Sequence, residues 1–219
     1  MQKGFVAFRP LRARTGLVQV LAALFASLLV LPSAVQAQSQ GYKFLEAIKK
    51  RDGDTVEKML GSSGNGSTPG TIIINARDIT SGDSALHMVI AQHDLKWVAF
   101  LLYKGADPNI RNFAGTTPLW LAINTGFTDA AEGLIAKGAR VNDPGPAGET
   151  PLIAAVHQKN IDLIRVLIKA GADPARADNS GRKPMDYAQL AGATTIISEL
   201  DAAAKAAKAR SAKAYGPSF

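Results

Sequence analysis

The strongest constraint on this chain is an interval. The stretch GETPLIAAV at residues 148–156 is preceded 33 positions earlier by GTTPLWLAI and followed 33 positions later by GRKPMDYAQ. Gly82, Gly115, Gly148 and Gly181 keep that spacing, as do Leu86, Leu119, Leu152 and Met185. Gly105, Gly138 and Gly171 form a third series. Self-similarity at this period means a stacked array, because no unit of this size buries its apolar face alone.

Each recurring position has a local reason. Gly115 and Gly148 sit where a tight turn needs a positive φ, which glycine adopts without steric cost. Thr117 and Thr150 are placed to cap a helix start through the hydroxyl. Pro118, Pro151 and Pro184 then fit the first helical turn, where a missing N–H costs nothing. A short helix with small residues follows, and after it a second one. In NIDLIRVLIKAG, Ile161, Ile164, Leu167 and Ile168 recur at helical spacing, and Gly171 is the expected C-terminal stop. The expected fold is all-α, a solenoid of about five helix–turn–helix units with extended turn tips.

Four stretches in register, from GDSALHMVIAQHDLKWVAFLLYKGADPN through GRKPMDYAQLAGATTIISEL, resemble the ankyrin-repeat family across about residues 41–200. The resemblance implies repeats near 41–77, 79–111, 112–144, 145–177 and 178–200. The first, YKFLEAIKKRDGDTVEKML, has the helix pair without the turn motif, as a terminal cap would. Some positions depart from the family pattern. Ala85 replaces the helix-start proline, Lys183 replaces the capping threonine, and Arg140 stands where aspartate is usual. Gly133 falls inside a second helix, where it costs about 1 kcal/mol relative to alanine. Ala130, Ala131 and Gly133 are expected to receive Trp97 from the neighbouring repeat, and Trp120 is expected to pack inward.

The two ends are read separately. Lys3, Arg9, Arg12 and Arg14 precede the apolar run Leu17–Leu31, which is closed by Pro32, Ser33 and the small-residue step to Ala37. This is the pattern of a secretory signal peptide over residues 1–37, cleaved after Ala37. The apolar run of 15 stops short of the roughly 20 residues of a spanning helix. Without those four cations the formal charge of +7 falls to +3, so most of the basicity belongs to targeting and nucleic acid is not an expected partner. The expected location is a bacterial periplasm, with secretion as the alternative. After the array (38–200), the tail 201–219 is rich in alanine and lysine and is expected to extend the last helix. The chain has no cysteine, which removes disulfides and thiolate chemistry.

Catalytic and ligand motifs are weak. GSSGNGST at 61–68 has the spacing of a phosphate loop but lacks its lysine and follows a helix instead of a strand. The surrounding Gly61–Gly70 stretch reads as a flexible loop. Asn65-Gly66-Ser67 is a glycosylation sequon that has meaning only in a eukaryotic secretory route. His87 and His93 are six apart, which does not place them on one helix face as a metal pair. The resemblance gives His87 a structural hydrogen bond near the turn. No enzyme, metal or cofactor is expected.

The resemblance also implies that partners bind a concave face made of the turn tips and the exposed side of each first helix. Carried over by position, the tips are Thr80, Ser81 and Asp83; Arg111, Phe113, Ala114 and Thr116; Pro146, Ala147 and Glu149; and Asn179, Ser180 and Arg182. The helices add Gln92, Asn124, Thr125, His157 and Gln158. Phe113 stands out, because an aromatic at an exposed tip is the kind of residue that anchors an interface. The expected function is binding of a protein partner by a monomeric, non-catalytic module. The alternative is association with an anionic membrane surface through the basic tail.

Overall fold

The structure is a computed structural model that describes residues 32–61 and 73–214, and side chains from residue 40 to residue 210 within them. The apolar run Leu17–Leu31, the stretch 62–70 with its phosphate-loop-like spacing and sequon, and the last five residues lie outside the described residues. The chain divides into two units, 1–39 and 40–219. In the first, residues 32–39 are helical. Among the described residues no helix is long and apolar enough to cross a membrane.

Ten α-helices are described, with one isolated bridge between Arg77 and Ser84 and no strand among the described residues. They fall into consecutive pairs: α1 (Pro32–Lys50) and α2 (Gly53–Gly61), α3 (Ala85–Ala91) and α4 (Leu95–Tyr103), α5 (Pro118–Asn124) and α6 (Thr128–Ala136), α7 (Pro151–His157) and α8 (Ile161–Lys169), α9 (Pro184–Leu190) and α10 (Thr194–Ala214). The first helices α3, α5, α7 and α9 contact one another in order, and the second helices α4, α6, α8 and α10 do the same. The array is therefore two rows of helices, an inner row of seven-residue helices and an outer row of longer ones.

The helix starts follow the capping logic of the sequence. The Thr117 hydroxyl accepts from Trp120 N–H at 3.1 Å, and Thr150 accepts from Ile153 N–H at 3.2 Å. Where Lys183 stands at this position, the Asp186 carboxylate reaches back instead and accepts from the Lys183 N–H at 2.8 Å. The link between the two helices of a pair needs a left-handed residue. Arg51, His93, Gly126, Lys159 and Gly192 all hold positive φ there. Each donates its N–H three residues back, and the next residue donates five back, as in Lys159 N–H to Val156 O at 2.9 Å and Asn160 N–H to Ala155 O at 3.2 Å. These two hydrogen bonds satisfy two carbonyls that the helix end would otherwise leave open. Three of the five positions are not glycine, so the hydrogen-bond pattern overrides the backbone preference.

The core runs the length of the stack, from Phe44, Ile48 and Val56 through Leu86, Leu119 and Leu152 to Ile196 and Leu200, all buried. Neighbouring repeats are also joined by asparagine staples. Asn109 Oδ1 accepts from Arg140 N–H at 2.9 Å while its amide donates to Gly138 O at 3.1 Å. Asn142 repeats the pair with Asp173 N–H at 2.8 Å and Gly171 O at 3.2 Å. Asn75 accepts from Asp107 N–H at 2.9 Å. Because the staple bonds to the main chain, Arg140 satisfies it as well as an aspartate does. The Arg140 side chain pairs with Asp143 at 2.8 Å.

The tryptophans depart from expectation. A methyl group placed on Gly133 would lie 3.8 Å from Leu102 Cδ1, so it is Leu102 that comes against Gly133. Trp97 is half-buried against the core and not within reach of Gly133. It meets Phe100 edge-on, with ring centroids 5.5 Å apart, and lines a cleft with Gly53, Asp54 and Glu57 of α2. Trp120 is half-buried, with its indole against Gly145. The tail does extend the last helix, to Ala214. Ala203 is buried, so the first turn beyond residue 200 still belongs to the end of the stack.

Candidate functional site

Along one edge of the array the chain makes four hairpin-like tips. Each is closed by one backbone bond: Asp78 N–H to Asp83 O, Asn112 N–H to Thr116 O, Gly145 N–H to Glu149 O and Asp178 N–H to Arg182 O, at 2.8–3.0 Å. Inside three of them a side chain at the first position organises the turn. Asp78 accepts from the N–H groups of Thr80 and Ser81 and from the Thr80 hydroxyl. Asn112 accepts from the N–H groups of Ala114 and Thr116, and Asp178 from those of Ser180 and Arg182. These are turns of the Asx type, in which a short acceptor chain mimics the backbone. Tyr187 donates its hydroxyl to Asp178 at 2.6 Å, and that bond with the one from the Ser180 hydroxyl at 2.7 Å holds the Asp178 carboxyl well below the usual carboxylate range. The Thr80 hydroxyl does the same for Asp78.

The tips are tied to one another. Arg77 donates through Nε to Gly82 O in its own tip and through its terminal nitrogen to Arg111 O in the next. Arg111 repeats the device one repeat on, donating to Gly115 O and Pro144 O at 2.7 Å each, with Asp143 at 3.3 Å. Asp83 accepts from the Asn112 amide at 2.8 Å, and Ser81 O accepts from Phe113 N–H at 3.0 Å. Asn179 N–H donates to Ala147 O.

On this frame the side chains expected to meet a partner sort themselves. Phe113 is 64% exposed and yet held on two sides. The Arg77 guanidinium lies 5.1 Å from its ring centroid, and a methyl on Gly82 would sit 2.6 Å from its ring, so glycine is needed beneath it. Glu149 lies 2.8 Å from His157, whose ring meets Tyr187 edge-on at 4.3 Å, with the Arg182 guanidinium 5.9 Å from the Tyr187 centroid. Thr80, Ser81, Gln92, Asn124, Asn179 and Arg182 are exposed. Gln158 is exposed but donates its amide to Ile123 O at 2.6 Å, and the Thr125 hydroxyl donates to Leu121 O and Ala122 O. Those two join or cap helices.

Thr116 departs from expectation, because it is 6% exposed and offers no contact surface. Its carbonyl is instead the partner of His87. The His87 ring is buried, with Nε2 3.0 Å from Thr116 O and Nδ1 facing the Ser84 N–H at 3.2 Å and its hydroxyl at 2.9 Å. Nδ1 therefore accepts and Nε2 carries the proton, so the neutral ring satisfies two repeats at once. Arg77 and Tyr187 were not singled out from the sequence. The available signal for Arg77 was its 34-residue offset from Arg111; for Tyr187 it was an aromatic where the preceding repeat has the small Ala154.

Burial lowers the His87 pKa from its ordinary value of 6.5. Below about pH 6.5 the unfolded chain then binds a proton that the folded chain refuses, so stability falls as pH drops. Urea midpoints measured at pH 7.5 and pH 5.5 should show this loss, and His87→Gln should flatten it. An equal acid loss in that variant would assign the pH dependence elsewhere.

Comparison with known proteins agrees with this architecture. Family models for ankyrin repeats match residues 44–145 and residues 134–188, together about two thirds of the chain. The nuclear factor NF-kappa-B p110 subunit of Drosophila melanogaster is 33% identical over 63 residues, which is 29% of this chain and 6% of that protein. The NF-kappa-B p105 subunit of Gallus gallus is 39% identical over 64 residues, 29% of this chain and 6% of that one. An ankyrin repeat protein of fowlpox virus (strain NVSL) is 43% identical over 51 residues, 23% of this chain and 15% of its own. The matches thus span only a small part of the length of these relatives. Ankyrin repeats are protein–protein interaction modules and in general have no catalytic activity. The fixed period, the threonine–proline helix starts, the glycine turns and the two helix rows converge with both family matches: the chain belongs to the ankyrin-repeat family.

Proposed function

We propose that this protein recognises a partner protein through the face formed by its turn tips and inner helices, and has no catalytic role of its own. The observation that carries this reading is Phe113, an aromatic ring presented to solvent and fixed from behind. A rigid exposed aromatic loses little entropy on docking, which is what makes such residues interface anchors. Thr80, Asn124, His157 and Arg182 add polar groups to the same face, with Arg182 as a cation and Glu149, beside His157, as an anion.

Phe113→Ala should weaken capture of the partner by on the order of 2 kcal/mol while the melting temperature shifts little. Affinity capture with the unaltered chain and the variant, followed by thermal melts of both, makes the comparison. Parallel losses of folding and binding would return Phe113 to a structural role.

Export completes the reading, and it rests on the N-terminal charge and hydropathy pattern. The native protein is expected to begin at Gln38 in an extracytoplasmic fraction, which N-terminal sequencing reads directly. A native chain retaining Leu17–Leu31 would count against export with cleavage. Less supports the rival role of the tail as an anionic-surface binder, since Lys205 is held by Asp201 at 2.8 Å and Ala203 closes the stack.

A further inference from the structure

We propose that a cleft on the outer helix row, away from the tips, is a second recognition site that takes an arginine side chain of a partner polypeptide. The cleft lies between α2 and α4, has a volume of about 290 Å³, and is lined by Gly53, Asp54, Glu57, Lys96, Trp97 and Phe100. Its floor is aromatic, with Trp97 and Phe100 edge-to-face at 5.5 Å. Its α2 wall is acidic, because Asp54 and Glu57 are three residues apart and so lie on neighbouring surface. Neither carboxylate takes part in an ion pair among the described residues. Asp54 in the first turn of α2 favours the helix dipole, but Glu57 lies a turn further on, where that effect has faded.

Aromatic faces beside free carboxylates make a site for a cation. The molecule already shows the attraction in the pairs of Arg77 with Phe113 and Arg182 with Tyr187, and at the edge of this cleft, where the Lys104 ammonium lies 5.5 Å from the Phe100 centroid. Arginine suits the cleft better than a compact ammonium does. Its planar guanidinium stacks on an indole and still directs N–H groups to carboxylates at the rim. The space holds one long side chain and the main chain it hangs from. Lys96 sits in the same lining as the opposing charge, so it should limit affinity.

The test uses the full chain and a short glycine–serine peptide carrying one arginine, against the same peptide carrying citrulline, its neutral isostere. The chain has two tryptophans, so Trp120→Phe leaves Trp97 as the sole reporter, and calorimetry on the unaltered chain guards against a folding defect in that variant. The expected result is saturable quenching by the arginine peptide and none by the citrulline peptide. Asp54→Asn with Glu57→Gln should weaken binding roughly fivefold, the scale of one exposed cation–carboxylate contact. Lys96→Met should strengthen it, and Phe113→Ala should leave it unchanged, which separates this site from the tip face. Equal binding of the citrulline peptide, or indifference to the paired acid substitutions, overturns the proposal. Free arginine binding as tightly as the peptide overturns the assignment to a polypeptide.

Discussion

Replacing Leu152 with alanine is expected to destabilise the protein by about 2–5 kcal/mol, the range for removing a buried leucine side chain. Leu152 lies in α7 at 1% exposure, and the equivalent residues on the two neighbouring inner helices are Leu119, also at 1%, and the half-buried Met185. The side chain therefore closes contacts toward two repeats at once. In a stacked array a defect in the middle weakens the joints on either side, whereas a defect at an end weakens one. Chemical denaturation followed by circular dichroism gives the measurement. A midpoint within error of the unaltered chain would falsify the placement of Leu152 in the core.

The second large effect comes from one added methyl group. Gly145→Ala is expected to cost about 3 kcal/mol, at the upper end for overpacking. The backbone of Gly145 has φ −85 and ψ −158, which alanine adopts readily, so strain is not the cause. The cause is steric: a Cβ there would stand 2.4 Å from Trp120 Nε1, 2.5 Å from Cδ1 and 2.6 Å from Cε2. Trp120 occupies the repeat position of His87, and its indole N–H is buried without a hydrogen-bond partner among the described residues. The tip that should receive it has given up its organising side chain to make space. Trp120→Leu in the same chain should recover most of the loss, and a double-mutant cycle quantifies the coupling. Additive losses would show that the two residues do not press on each other.

These contacts mark where sequence reasoning reached and where it stopped. The glycine turns, the Thr117 and Thr150 caps and the helix-start prolines follow from local chemistry repeated at a fixed interval, and each appears where the interval puts it. The direction of Trp97 does not follow, because a period states which helix a residue belongs to and not which neighbour its ring turns toward. The left-handed Arg51, His93 and Lys159 were illegible for a related reason. Their conformation is imposed by bonds to carbonyls several residues earlier, and arginine and lysine side chains carry no preference for it.

The recognition face was legible as a set of positions and less so as a set of roles. Phe113 was readable because an aromatic at a tip is out of place in a polar turn. Thr116 lies three residues further along the same tip and is buried, because its carbonyl must meet a histidine 29 residues earlier. Alternation between presenting and burying residues within one short turn depends on which partner each backbone group finds across the repeat boundary. Asp178 and Tyr187 illustrate the same point, since their bond at 2.6 Å joins a tip to a helix nine residues later.

The asparagine staples have a consequence for how such a protein changes over generations. Asn109 and Asn142 grip only main-chain N–H and carbonyl groups of the following unit, atoms that every amino acid except proline supplies. The joint is therefore blind to the identity of the residue it holds, as Arg140 in place of aspartate demonstrates. A duplicated unit brings its own acceptor and donor and meets the same two groups in whatever follows it. Length is then free to vary by gene duplication without a compensating change at these asparagine joints.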